Sequence, residues 1–209
     1  MSLAFVMRDG ERFWLATNST IARDSINIPN EYSPSFPLFK VKDVLICYHG
    51  PHDADDDILM NLEFSKITVP LSEHSLFEQF FVPMNVLVQK DNLVAKEGDT
   101  SIKAYPSSFF FLTSKEGFAF DGAILRKINL FEMIGTAQQS GGGALDHFFP
   151  GLPPKKLVVE VIRSAIRFST DTTYPIFLAN TEDEEMQVIE EDGSEHKVKI
   201  PTWEKGRIR

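Results

Sequence analysis

A hydroxyl and an amine on one residue near the chain start would be enough for acyl-transfer chemistry. The chain opens Met1-Ser2-Leu3. Removal of the initiator Met1, which a small second side chain favours, would leave Ser2 with its hydroxyl beside a free α-amine of normal pKa, roughly 7.7–8.0. That is a nucleophile with its own general base. Retention of Met1, or a lead Met1-Ser2-Leu3 that is not native, removes it. A second chemical grouping is His49, His52, Asp53, Asp55, Asp56 and Asp57, hard and borderline ligands at close spacing that could hold a divalent cation. Acids in a helix's first turn, where the dipole favours negative charge, explain the aspartates equally well. Gly141-Gly142-Gly143 could cradle a phosphate, but it lacks the lysine and hydroxyl of a phosphate-binding loop and reads as a helix lead-in. His74 and His147 have no assignable partner. No metal or cofactor is expected.

The elements that must position these residues begin with a hairpin: Leu3-Ala4-Phe5-Val6-Met7, a turn at Asp9-Gly10, and Phe13-Trp14-Leu15-Ala16-Thr17-Asn18 running back. Ser19 to Pro37 is too rich in Pro, Asn and Ser for a regular element and reads as a surface loop. A second hairpin follows, Leu38 to Val41 and Val44 to Gly50 about a turn at Lys42-Asp43, with a second strand apolar on both faces. Asp53 to Leu62 reads as a helix start. Ser72 to about Leu93 reads as a second helix, capped by Ser72 with Ser75 behind it and kinked or broken at Pro83. Strands are expected around Phe109–Thr113, Phe118–Phe120 and Ile124–Ile134. Pro153-Pro154 opens an amphipathic helix in which Leu157, Val158, Val161, Ile162, Ala165 and Ile166 share a face. Tyr174–Ala179 and Glu195–Ile200 close the chain as strands, around an acidic connection, Glu182 to Asp192, expected to be solvated.

Composition bounds the function. The chain has 209 residues, 43% hydrophobic and 24% charged, with 18 Phe, which is enough for one domain with a large aromatic core. A single domain over 1–209 is expected, with 182–209 as an acidic connection and hairpin extension. The net charge of -9 repels nucleic acid and anionic membranes unless a basic stripe offsets it, and there is none. No run reaches the roughly 18 apolar residues of a membrane span. The lone Cys47 lies in an apolar strand and reads as a buried hydrophobe; these features together point to a cytoplasmic protein.

The element order is strands, two helices, strands, two helices, strands. Together with the first hairpin ending Leu15-Ala16-Thr17-Asn18-Ser19, the strand into Tyr48-His49-Gly50, Ile134-Gly135-Thr136 before a helix with Ala144-Leu145, and Ala165-Ile166-Arg167 before Asp171-Thr172-Thr173, it resembles the proteasome β-subunit family over roughly residues 2 to 181. The resemblance implies an α+β, four-layer αββα sandwich of the N-terminal nucleophile (Ntn) hydrolase type, two antiparallel sheets flanked by helices. It implies self-association into rings or another homo-oligomer, and a peptide or amide substrate. It puts the family's N-terminal nucleophile on Ser2, its neighbouring aspartate on Asn18, and its oxyanion-binding glycine on Gly50. The family lysine falls by count on Ser35 or Phe36; Lys40 reaches the place only through a gap. The family's serine-glycine falls near Ser140-Gly141 after a lengthened loop. Without the acid and the lysine, a degenerate subunit is expected ahead of a working peptidase. The alternative is a non-enzymatic scaffold that uses the sandwich for assembly.

Overall fold

The computed structural model describes residues 3–18, 37–49, 62–90, 95–96, 103–104, 107–122, 124–135, 137–169, 172–204 and 207–208. They fall into two compact units, Met1–Pro37 with Asn129–Ile200, and Leu38–Ile128 with Pro201–Arg209.

The first unit is built on the N-terminal hairpin, β1 (Leu3–Asp9) and β2 (Arg12–Asn18), turned at Gly10, whose φ of +62° favours glycine. The hairpin lies inside a six-stranded antiparallel sheet. Its order is β10 (Phe131–Gly135), β1, β2, β11 (Ile176–Asn180), β12 (Glu185–Ile189) and β13 (Glu195–Lys199). One face is covered by helices α2 (Gln138–Phe148) and α3 (Pro154–Phe168). The α3 stripe buries Leu157, Val158, Val161, Ile162 and Ala165 against Leu3, Phe5, Ala16 and Leu178, at about 1.5–3 kcal/mol for each large aliphatic side chain. The other face carries Ala4, Val6, Phe13, Leu15, Ala179 and Val188, which are buried as well.

The second unit repeats the pattern with a five-stranded antiparallel sheet. Its order is β3 (Leu38–Val41), β4 (Val44–His49), β7 (Ser108–Leu112), β8 (Gly117–Asp121) and β9 (Ile124–Lys127). Short ladders β5–β6 (Ala95–Lys96, Lys103–Ala104) and β14–β15 (Trp203–Glu204, Arg207–Ile208) form separate two-stranded sheets, the second beside β3. One face packs a dense aromatic core of Phe39, Phe64, Phe80, Phe109, Phe111, Phe120 and Trp203, with Phe80 edge-on to Phe109 and Phe111 at 4.8 and 4.7 Å. Leu38, Lys40, Leu45, Cys47, Phe110 and Leu112 alternate onto the other face and are also buried.

Several local expectations change. The helix from Ser72 has the expected reciprocal Ser72–Ser75 cap, yet Pro83 does not end it: helix α1 runs from Glu73 through a π-helical turn, Phe77–Phe81, to Lys90. The widened turn shifts the hydrogen-bond ladder just before the proline, where an N–H would otherwise be missed. Gly141-Gly142-Gly143 lies inside α2 rather than ahead of it. A Cβ at Gly141 would come within 2.8 Å of Leu3 Cδ2 and 3.1 Å of Met133 Sδ, so its glycine lets the helix lie close on β1. The acidic connection contains a strand, β12, because Met186, Val188 and Ile189 between the acids are buried. Ile124–Ile134 splits into β9 and β10, which belong to different sheets. The helix start at 53–62, apart from the buried Leu62, lies outside the described residues.

Candidate functional site

Ser2 and Gly50 lie outside the described residues, as do Ser35, Phe36, His52 and the aspartates 53 and 55–57. What the structure shows is the frame beside them. In the first unit the peptide group of Leu3 is held on both sides: its N–H donates to Asn18 Oδ1 at 2.8 Å, and its carbonyl accepts from Thr17 Oγ1 at 3.2 Å. Asn18 is fully buried. Its Nδ2 donates to the Thr173 carbonyl at 3.4 Å, where the chain leaves α3 for β11. Both ends of the Asn18 amide are therefore engaged with backbone. A carboxylate here could accept from Leu3 but would set its second oxygen against the Thr173 carbonyl, acceptor to acceptor. Thr172 closes the same corner, its Oγ1 donating to the Ala165 carbonyl at 2.9 Å at the end of α3.

In the second unit the register settles where Lys40 stands. Lys40 pairs with Leu45, four residues before His49, so it lies about 13 Å along the strand from the His49 end at roughly 3.3 Å per residue. Lys40 is thus beside the Lys42-Asp43 turn, whereas His49 ends β4 at the far end of the hairpin. Ser140, the other candidate, is inside α2 and half-buried.

His49 is itself buried, and burial pushes its pKa from 6.5 down to about 3, leaving a neutral imidazole at neutral pH. Its cross-strand partner is Ser108, and Ser108 in turn is hydrogen-bonded to Asp121 of β8. Ser108 Oγ donates to Asp121 Oδ1 at 2.5 Å, and Arg126 stands 3.8 Å from the same carboxylate. Polar residues thus line the His49 end of the sheet. Thr17, Thr173, Ser108, Asp121 and Arg126 are missed by sequence reasoning, which singles out His49 only as a candidate metal ligand. The available signal was polar residues at strand ends within apolar strands.

Elsewhere on the first unit, a shallow cleft of about 530 Å³ is lined by Trp14, Lys155, Glu185, Lys197 and Lys199 among others. Its charges are of both signs. Among the described residues no three His, Cys, Asp or Glu side chains are close enough to hold a metal, and no helix is long and apolar enough to cross a membrane.

Solved structures share this architecture. The "BPH" protein of Thiobacillus denitrificans, in a structure with epoxomicin, superposes with a TM-score of 0.63 at 13% identity, over 85% of this chain and 97% of that one. The chain has the proteasome-like Ntn-hydrolase fold. "Anbu (ancestral beta-subunit)" from Yersinia bercovieri matches with a TM-score of 0.60 at 13% identity, over 91% of this chain and 88% of its own. Eukaryotic HslV from Trypanosoma brucei gives 0.53 at 13% identity, covering 85% and 98%. No protein-family model and no curated protein matches the sequence. The proteasome-like fold is α+β and layered, as the sequence resemblance implied. At this identity the likeness establishes the fold and leaves the chemistry to the residues.

Proposed function

We propose that this protein is a self-associating, proteasome-like subunit in which the N-terminal nucleophile is not driven by the acid and lysine of a working peptidase. The observation that carries this reading is the Asn18 amide, neutral, buried and engaged at both ends with Leu3 and Thr173. It orients backbone and takes up no proton. Lys40, the candidate for the lysine role, stands at the turn end of its hairpin, which supports the same reading. The proteasome-like neighbours do not favour the alternative, a non-enzymatic scaffold that uses the same sandwich for assembly, and the lone buried Cys47 fits a reducing, cytoplasmic setting.

A second reading, a working amidase or peptidase, is favoured by the pinning of the Leu3 peptide group, which fixes the backbone next to Ser2. In it the Ser2 α-amine, directly or through one water, takes the hydroxyl proton as Oγ attacks a peptide carbonyl. The Gly50 N–H stabilises the oxyanion, and the proton passes to the leaving amine. Water then hydrolyses the acyl-Ser2 ester and restores the hydroxyl. Asn18 contributes orientation only.

The two readings separate on protein expressed with its native start. Intact mass reports whether Met1 is lost, and an epoxyketone probe followed by mass mapping reports nucleophilicity. Met1 loss with no adduct is the expected result. An adduct on Ser2, abolished by Ser2→Ala, would establish the second reading and refute the first. Light scattering coupled to size exclusion is expected to show a multiple of the 23.6 kDa chain mass, and a monomer at micromolar concentration would refute self-association.

A further inference from the structure

The β3 edge of the second unit's sheet is not left open. Beyond β13 the chain continues through Pro201 to Trp203, and this short arm lies along β3. The Lys40 N–H donates to the Pro201 carbonyl at 2.8 Å, and Lys40 and Thr202 form a parallel bridge. Because β3 pairs with β4 on its other side, this donation leaves β3 on the side where an edge strand would present unpaired groups. Two residues on, Trp203 is only 8% exposed and sits against Phe64 at 4.9 Å and Phe39 at 5.7 Å. The arm thus combines the two components of strand-addition recognition, main-chain pairing to a sheet edge and an anchoring side chain in a pocket. The anchor is of the residue type that dominates such contacts.

We infer that the β3 edge and the Phe39–Phe64 slot form a peptide-accepting site whose resident ligand is the chain's own arm, Pro201–Trp203. The arm closes the edge in cis and thereby blocks the addition of any other extended segment. Pro201 suits the task, since it accepts from Lys40 through its carbonyl and has no N–H to offer a further strand. The chemistry the slot takes is an extended segment with a carbonyl acceptor two residues ahead of a large aromatic ring.

The test uses the full chain and, as probe, a labelled peptide of residues 199–209. Trp203→Ala should empty the slot, so the peptide is expected to bind this variant at least tenfold more tightly than the wild type, whose own arm competes. A peptide carrying alanine at position 203 should not bind. In the same proteins the Lys40 amide, read by hydrogen exchange, should be protected in the wild type and at least tenfold faster in Trp203→Ala. Equal peptide binding to both proteins, or faster Lys40 exchange without peptide binding, would overturn the inference by reducing Trp203 to an ordinary core residue. If Trp203→Ala does not fold, Trp203→Phe provides the intermediate case. A wild-type Lys40 amide that exchanges like an unstructured one refutes the inference without any variant.

Discussion

Acidification should destabilise this protein through His49 well before its carboxylates protonate. The imidazole is buried, and its pKa falls from 6.5 to about 3. Between those values the unfolded chain binds a proton that the folded chain refuses. The unfolded state therefore gains protons first, and stability is lost as pH falls from about 6.5 toward 3. Between pH 7 and pH 5 the linkage amounts to about 2 kcal/mol, at about 1.4 kcal/mol per unit. This figure depends little on the lower pKa, because at pH 5 any folded value of 4 or below leaves the imidazole neutral. For a chain of this size it corresponds to a fall of about 4–8 °C in Tm. Urea unfolding at pH 7 and pH 5, for wild type and His49→Gln, isolates the contribution, since other titrating groups are common to both proteins. The wild type should lose about 2 kcal/mol more than the variant over that interval. Equal losses would refute the argument. So would an NMR titration in which the His49 ring protonates near pH 6.5.

The fold yields further expectations. Asn18→Ala should cost about 2–4 kcal/mol in chemical denaturation, because the buried Leu3 N–H loses its acceptor and the Thr173 carbonyl its donor; a change below about 0.5 kcal/mol would show that the amide does not hold this corner. Asn18→Asp should also destabilise at pH 7 and should not create probe labelling at Ser2, and a stable, labelling-competent variant would refute the proposed role of Asn18. The three glycines of α2 should separate in thermal melts. Gly142→Ala and Gly143→Ala meet nothing within 4 Å and should each stabilise by about 0.5–1 kcal/mol from helix propensity. Gly141→Ala, at 2.8 Å from Leu3 Cδ2, should lose that gain and about 1–3 kcal/mol of packing strain; three equal stabilisations would refute the close packing of α2 on β1.

The first hairpin, the hairpin about Lys42-Asp43, the strands on either side of Lys115-Glu116 and helix α3 are all legible in the sequence. Each is set by information a few residues apart: alternating or three-to-four spacing of apolar residues, glycine at a turn, proline at a helix start. Ser72–Ser75 was legible for the same reason, and so was the layered fold class, since strands apolar on both faces cannot meet water. The candidate Ser2 follows from its place in the chain alone. Other features required contacts between segments far apart in sequence. Gly141-Gly142-Gly143 reads as a helix lead-in until Leu3 shows why a helix passing over β1 must lack a Cβ at Gly141. The Glu182–Asp192 segment reads as solvated until β11 offers Met186 and Val188 a sheet to join. Pro83 reads as a stop until a π-turn absorbs it. Asn18 has the residue type of a cap or a turn, and only its bonds to Leu3, 15 residues away, and Thr173, 155 residues away, make it a structural anchor. Lys40 likewise gained its place from strand register. Local periodicity fixes which residues share a face, whereas hydrogen-bond partners and strand neighbours are chosen by the packing of the whole chain, and that choice decides what a polar residue can do.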